Sequence, residues 1–368
     1  MSETLTGTAP GTTSGRTRPG PDSEILLDVQ GLSVDYGSDY GPLPAVSDVS
    51  FTLRRGEILG IAGESGSGKT TLINALLRLL RPPATVRSGS AVLHPSGGEP
   101  VDLLSVGQKR LRELRWEHSA VVFQSAMNAL NPVLRLEKQF ADALRAHRKI
   151  SKAEARERSA RMLELVGIPA GRLSDYPHEL SGGMRQRATI ALALVCEPDL
   201  LVMDEPTTAV DVVMQRQILR QLIRLQRTLG FSVVFITHDL SLLLETADRI
   251  AVMYGGRIVE SGPAGALYRE PRHPYTRGLR DSFPPLQGPL RKLTGIPGTP
   301  PDLRRLPPGC PFEPRCAHAV AACAQAVPAL EADGDRLVAC VRTGELTAGA
   351  AAPDETPAPN NGEPDEAS

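Results

Sequence analysis

Gly63-Glu64-Ser65-Gly66-Ser67-Gly68-Lys69-Thr70 follows the apolar run Glu57-Ile58-Leu59-Gly60-Ile61-Ala62 and opens onto Leu72-Ile73-Asn74-Ala75-Leu76-Leu77. Strand, glycine-rich loop and helix in that order make a phosphate-binding loop. Glycines let the backbone turn tightly enough to aim its N–H groups at phosphate oxygens, and the helix that follows adds its positive N-terminal end. The pattern predicts binding of a nucleoside triphosphate, with Lys69 reaching the β- and γ-phosphates and Thr70 ligating magnesium.

The rest of the chain bounds what surrounds that loop. Its 368 residues allow about two domains, and 41% apolar content is ordinary for a buried core. No apolar stretch approaches the roughly 20 residues that cross a bilayer, and the first residues carry no apolar signal segment, so a cytoplasmic location is expected. A net charge of −1 gives no long-range field for nucleic acid, which is not expected as a partner. Of five cysteines, Cys310, Cys316, Cys323 and Cys340 lie near the C-terminus. In a cytosolic chain such a group points to metal or cluster ligation before disulfides.

Composition divides the chain. Residues 1–23 are rich in Gly, Thr, Pro and Ser, and residues 345–368 in Ala, Pro and acid; both read as disordered tails. Between them Ile25 to Gln30, Val49 to Leu53, Ile58 to Ala62, Ala120 to Phe123, Leu200 to Met203, Val233 to Ile236 and Ile250 to Met253 read as short strands. Several are apolar throughout, as in an α/β sheet covered on both faces. From Leu136 to Val166 apolar residues recur at helical spacing and stop at Gly167 and Pro169, a helical insertion. After about residue 270 prolines accumulate, a linker into a small loop-rich module.

Leu200-Leu201-Val202-Met203-Asp204-Glu205 is an apolar strand ending in two carboxylates. In a phosphate-loop ATPase such a pair supplies Asp204 to hold magnesium and Glu205 to polarise the attacking water. Leu180-Ser181-Gly182-Gly183-Met184-Arg185-Gln186 stands about twenty residues earlier, where a helix N-terminus with small residues offers backbone N–H groups and a hydroxyl to an anion.

The serial order of phosphate loop, Gln124, Ser181-Gly182-Gly183, Asp204-Glu205 and His238 resembles the nucleotide-binding subunit of ABC transporters over roughly residues 24 to 270. The resemblance implies a RecA-like core with an antiparallel β subdomain and a helical subdomain over about residues 125–195. It implies that Gly63, Glu64, Ser65, Gly66, Ser67, Gly68, Lys69, Thr70 and Thr71 bind ATP and that Tyr36 stacks on adenine, with Tyr40 as its rival. Thr70, Gln124 and Asp204 would hold magnesium. Lys69, Glu205, His238 and Gln124 would carry catalysis. Ser181, Gly182 and Gly183 would contact the γ-phosphate held by an opposing subunit, and Asp211 would cross that dimer interface. Two such domains close head to tail around two nucleotides, so neither alone has a complete site.

Met184 in place of the usual Gln, His273-Pro274-Tyr275-Thr276, and the run from Gly295 through Gly309-Cys310-Pro311-Phe312-Glu313-Pro314-Arg315-Cys316 resemble the ATPases of oligopeptide and dipeptide importers. That places a C-terminal extension over residues 271–344. The implied partners are a second, distinct ATPase subunit, two transmembrane permease subunits and an extracytoplasmic substrate-binding protein, with the chain peripheral on the cytoplasmic membrane face. Cys310, Cys316, Cys323 and Cys340, separated by five, six and sixteen residues, fit the family's four-iron, four-sulfur arrangement, while thiolates alone suit zinc as well and unligated cysteines are the third reading. Gln124 is followed by Ser125-Ala126 where these importers usually carry Asp-Pro. Oligosaccharides and nickel are therefore alternative cargoes, and a soluble cassette acting on nucleic acid or ribosomes is the alternative of a different class.

Overall fold

The structure is a computed structural model that describes residues 23–123, 129–206, 211–282 and 295–348. The strands β1 (Ile25–Tyr36) and β2 (Leu43–Arg54) open the chain, followed by β3 (Ile58–Ala62), the phosphate loop and α1 (Lys69–Leu76). Next come β4 (Ala84–Leu93), β5 (Val101–Asp102), α2 (Gln108–Glu117) and β6 (Ser119–Val122). Two helices of the insertion, α3 (Leu136–His147) and α4 (Lys152–Leu165), lead to α5 (Gly182–Leu194). The α/β core resumes with β7 (Leu200–Asp204), α6 (Val212–Leu229), β8 (Ser232–Ile236), α7 (Leu240–Thr246), β9 (Arg249–Tyr254) and β10 (Arg257–Pro263). The C-terminal part holds α8 (Ala264–Arg269), α9 (Pro274–Asp281), β11 (Glu331–Asp333), β12 (Arg336–Val338) and α10 (Thr343–Ala348). Among the described residues no helix is long and apolar enough to cross a membrane.

Two sheets form. β2, β1, β4 and β5 make an antiparallel sheet in that order, and the larger sheet runs β11-β12-β10-β9-β3-β8-β7-β6. From β6 to β9 its neighbours pair in parallel, and β10, β12 and β11 continue it antiparallel. Every residue of β3, β7 and β8 is buried, which is why those segments read as unbroken apolar runs. On one face Leu59, Ile61, Val202, Val234 and Ile236 join the antiparallel sheet and α1 in a core with Leu26, Val29, Leu72 and Ile73. On the other, Ile58, Met203, Val233 and Phe235 pack with the helices, from Phe140 and Leu163 of the insertion to Ile218 and Leu243. The insertion stops as its sequence suggests: the Gly167 N–H donates to the Glu164 carbonyl and the Ile168 N–H to that of Leu163, closing the last turn of α4.

The proline-rich stretch does not lead to a detached body. β12 hydrogen-bonds to β10 as a strand of the main sheet, and Cys310, Phe312 and Cys323 are buried in the same core as Tyr254 and Tyr275. α10 crosses the boundary placed at residue 344. Glu260 on β10 ties this region down. Fully buried, it accepts hydrogen bonds from the backbone N–H groups of Arg272 (3.0 Å) and His273 (2.9 Å) and lies 3.7 Å from the Arg336 guanidinium of β12. Burial raises its carboxyl pKa against those partners. Glu260→Ala leaves two buried donors and a buried guanidinium short of a partner, so a loss of about 3 kcal/mol is expected in chemical denaturation, with Glu260→Gln losing less because its amide oxygen still accepts. A Glu260→Ala midpoint equal to wild type would mean that Glu260 does not anchor this region.

Candidate functional site

Strand order dictates where the chemistry gathers. β3, β8 and β7 are consecutive parallel strands, so their carboxyl ends share one edge of the sheet. The phosphate loop leaves β3 there, Glu205 follows β7, and His238 stands two residues beyond β8. Ligands of open parallel sheets bind outside such carboxyl ends.

The loop is held closely from behind. Gly68 has φ of 99°, and a Cβ on it would stand 2.3 Å from the Ala45 carbonyl oxygen; Gly63, with φ of 151°, would bring one equally close, 2.3 Å, to that of Met253. Both neighbours are backbone, so neither can yield to a side chain. Lys69 is buried and its Nζ donates to the carbonyls of Gly63 (2.7 Å) and Glu64 (2.9 Å). Burial lowers its pKa, while the carboxylates of Glu205, Asp204 and Glu64 act to raise it. An ammonium resting on loop carbonyls at the start of a helix is a cation waiting for an anion.

Opposite it, the Thr70 hydroxyl donates to Asp204 Oδ1 at 3.4 Å. Asp204 is buried, and burial first, then the neighbouring Glu205 charge, raises its pKa against the Thr70 hydrogen bond and Lys69. A buried carboxylate beside a second acid and a threonine hydroxyl is an oxygen donor set suited to magnesium. Glu205 takes a left-handed backbone, φ of 44°, its N–H bonded to the Ile236 carbonyl, and its Oε1 lies 3.2 Å from His238 Nδ1. A non-glycine residue held in that region is strain of the kind stored at working sites.

The other candidates fall around this centre. Tyr36 closes β1, half-buried, with its hydroxyl 3.3 Å from that of Thr71 on α1, whereas Tyr40 is 93% exposed. Ser181 caps α5: its Oγ accepts from the Met184 N–H, which leaves the hydroxyl proton and the N–H groups of Gly182 and Gly183 at the helix start. Asp211 likewise caps α6, accepting from the Met214 N–H at 2.9 Å. Gln124 lies outside the described residues; Phe123, just before it, is partly exposed at the end of β6. Cys310, Cys316, Cys323 and Cys340 all line one small cavity, with His273, Phe312 and Arg342 among its walls.

Sequence reasoning missed two partners of the loop. Arg315, in the short helical turn between Cys310 and Cys316, grips the Glu64 carboxylate, and the Tyr275 hydroxyl accepts from the Glu64 N–H at 2.9 Å. Nothing local to either residue reveals a partner over 200 positions away.

The family model for the ABC transporter matches residues 46–208, and that for the C-terminal region of oligopeptide/dipeptide transporters matches residues 259–323. A putative peptide import ATP-binding protein of Brucella ovis is 45% identical over 336 residues, covering 88% of this chain and 98% of that protein. The chain belongs to the ABC transporter family. An oligopeptide transport ATP-binding protein of Salmonella typhimurium is 44% identical over 322 residues, 87% of this ABC protein and 94% of the relative. Among solved structures, cbiO1 of Clostridium perfringens, part of an ABC transporter complex, superposes with a TM-score of 0.58 at 27% identity, covering 67% of this chain and 92% of that one. The ATP-binding cassette MJ0796, in a dimeric post-hydrolysis state with ADP and phosphate, gives 0.56 at 25% identity, covering 65% and 99%. The fold is thus that of an ABC ATPase cassette. Gly68→Ala should strain the loop by about 2 kcal/mol and weaken ATP binding roughly thirtyfold; titration with a fluorescent ATP analogue at wild-type affinity would mean the loop does not hold the nucleotide in this shape.

Proposed function

We propose that this ABC subunit hydrolyses ATP to energise the import of peptides. It would work with a second cassette, two transmembrane permease subunits and an extracytoplasmic binding protein, lying on the cytoplasmic face of the membrane. The observation that carries the reading is the meeting of Lys69, Thr70, Asp204, Glu205 and His238 at one sheet edge in a chain that matches peptide-import relatives along nearly their whole length.

Each side chain then has a task. Lys69 leaves its loop carbonyls for the β- and γ-phosphates, and Tyr36 faces adenine. Thr70 and Asp204, with Gln124, hold magnesium, which when bound neutralises charge on the phosphate oxygens. Glu205 orients and polarises the attacking water, and His238, in contact with its carboxylate, fixes its direction toward the γ-phosphate. Ser181, Gly182 and Gly183 at the start of α5 face the nucleotide of the opposing subunit, and Asp211 at the start of α6 lies in the segment that joins the two sites. Closure of two subunits completes both sites, which makes hydrolysis depend on assembly and lets closure act on the permease.

For the cysteines, we propose a four-iron, four-sulfur cluster in preference to zinc. Cys310, Cys316, Cys323 and Cys340 line one cavity, and their spacing fits the arrangement that ligates such a cluster in some of the family's subunits, each thiolate on its own iron. Burial raises the thiol pKa values of Cys310, to about 11, and of Cys316 and Cys340.

Two measurements test the reading. Glu205→Gln in the assembled transporter should keep ATP affinity and lose turnover by about 10²- to 10⁴-fold, since only the group acting on water is changed; near wild-type turnover would sink the assignment. Anaerobically purified protein should carry about four iron and four sulfide per chain, one iron for each cysteine. Stoichiometric zinc, or no metal, would overturn the cluster and leave the ATPase reading untouched.

A further inference from the structure

Glu64 is held at three points. Its side chain takes two hydrogen bonds from Arg315, Nη1 to Oε2 at 2.7 Å and Nη2 to Oε1 at 3.1 Å. Its N–H goes to the Tyr275 hydroxyl at the start of α9, and its carbonyl receives Lys69. An N–H already given to Tyr275 is not offered to a phosphate, so Glu64 serves the loop as an anchor.

Arg315 is itself fixed. Its side chain is 7% exposed, its Nε donates to the Pro297 carbonyl at 2.7 Å, and Nη1 also reaches the Tyr254 hydroxyl at 3.2 Å. The guanidinium carbon lies 5.8 Å and 6.0 Å from the ring centres of Tyr254 and Phe312, which pack edge to face. Tyr275 contacts both rings, with centres 4.5 Å and 5.4 Å away. The two groups that grip Glu64 therefore share one aromatic cluster. A planar guanidinium meeting a carboxylate on two parallel bonds fixes direction as well as distance, which a lysine cannot do. The turn carrying Arg315 ends on Cys316, so the connection runs from the thiol cavity straight to the phosphate loop.

We propose that Arg315 is a positioning residue for nucleotide binding: from the C-terminal segment it fixes Glu64 and thereby holds the phosphate loop in the shape that admits the triphosphate. The proposal rests on the loop binding ATP, and it adds that the loop is preorganised by the C-terminal segment packed against it. A pair that merely docked the C-terminal segment would change the melting temperature without setting nucleotide affinity.

A double-mutant cycle on the full chain separates these roles, read as affinity for a fluorescent ATP analogue with magnesium and as melting temperature without nucleotide. Arg315→Gln and Glu64→Gln should each weaken binding about tenfold, and the double variant should lose about tenfold as well, because both changes cut the same connection. Arg315→Lys should not restore affinity. Lys69→Ala serves as the control for the loop. Lost affinity in Lys69→Ala with Arg315→Gln within twofold of wild type would overturn the proposal while leaving the ATP site in place. Single effects that multiply in the double variant would overturn it too. Should Arg315→Gln not fold, Glu64→Gln and Tyr275→Phe carry the test, since each weakens one hold on Glu64 while leaving Arg315 and its aromatic neighbours in place; wild-type affinity in both would likewise overturn it.

Discussion

The tight turn between β3 and α1 is the constraint on which the rest of this molecule depends. Its backbone runs so close to Ala45 and Met253 that no side chain fits at Gly68 or Gly63, which ties the antiparallel sheet and the end of β9 to one loop shape. That shape sets Lys69 and Thr70 at the sheet edge, and the placing of β8 and β7 next to β3 brings His238, Asp204 and Glu205 to the same edge. Chemistry follows from topology here: consecutive parallel strands end together, and whatever follows them meets.

Charge explains why the site calls for a nucleotide. Asp204 and Glu205 stand beside each other with Asp204 buried, and Lys69 is drawn back onto the carbonyls of its own loop. Opposite shifts of Lys69 and Asp204, both led by burial, describe a site that is costly to keep charged by itself. A triphosphate with magnesium would supply the missing charges of both signs. The strained backbone at Glu205 belongs to the same design, holding a carboxylate toward His238 by the bond from its N–H to Ile236.

What the sequence made legible follows the same physics. β3 was readable to the residue because a strand covered on both faces is apolar at every position, and β7 and β8 nearly so. β4, with Arg87, Ser88, Gly89 and Ser90 in a largely exposed stretch, has no such signature, and β12 is three residues whose pairing depends on a distant strand. The meeting of Lys69, Thr70, Asp204, Glu205 and His238 was legible through spacing and motif order. The bond from Arg315 to Glu64 was not, because it joins residues 251 apart in sequence whose only local signals are a cysteine motif and a glycine-rich loop. For the same reason the proline-rich stretch read as a linker: prolines mark irregular backbone, and they say nothing about Phe312 and Tyr275 packing into the core.

The claim that this chain converts ATP hydrolysis into peptide import meets its most direct test in vesicles that hold the complete transporter, with binding protein inside and this subunit facing out. Labelled oligopeptide enclosed with the binding protein should leave the lumen only when magnesium and ATP are added outside, and a non-hydrolysable analogue should not sustain the movement. ATP hydrolysis at full rate with no displacement of peptide, or peptide movement that needs no ATP, would contradict it.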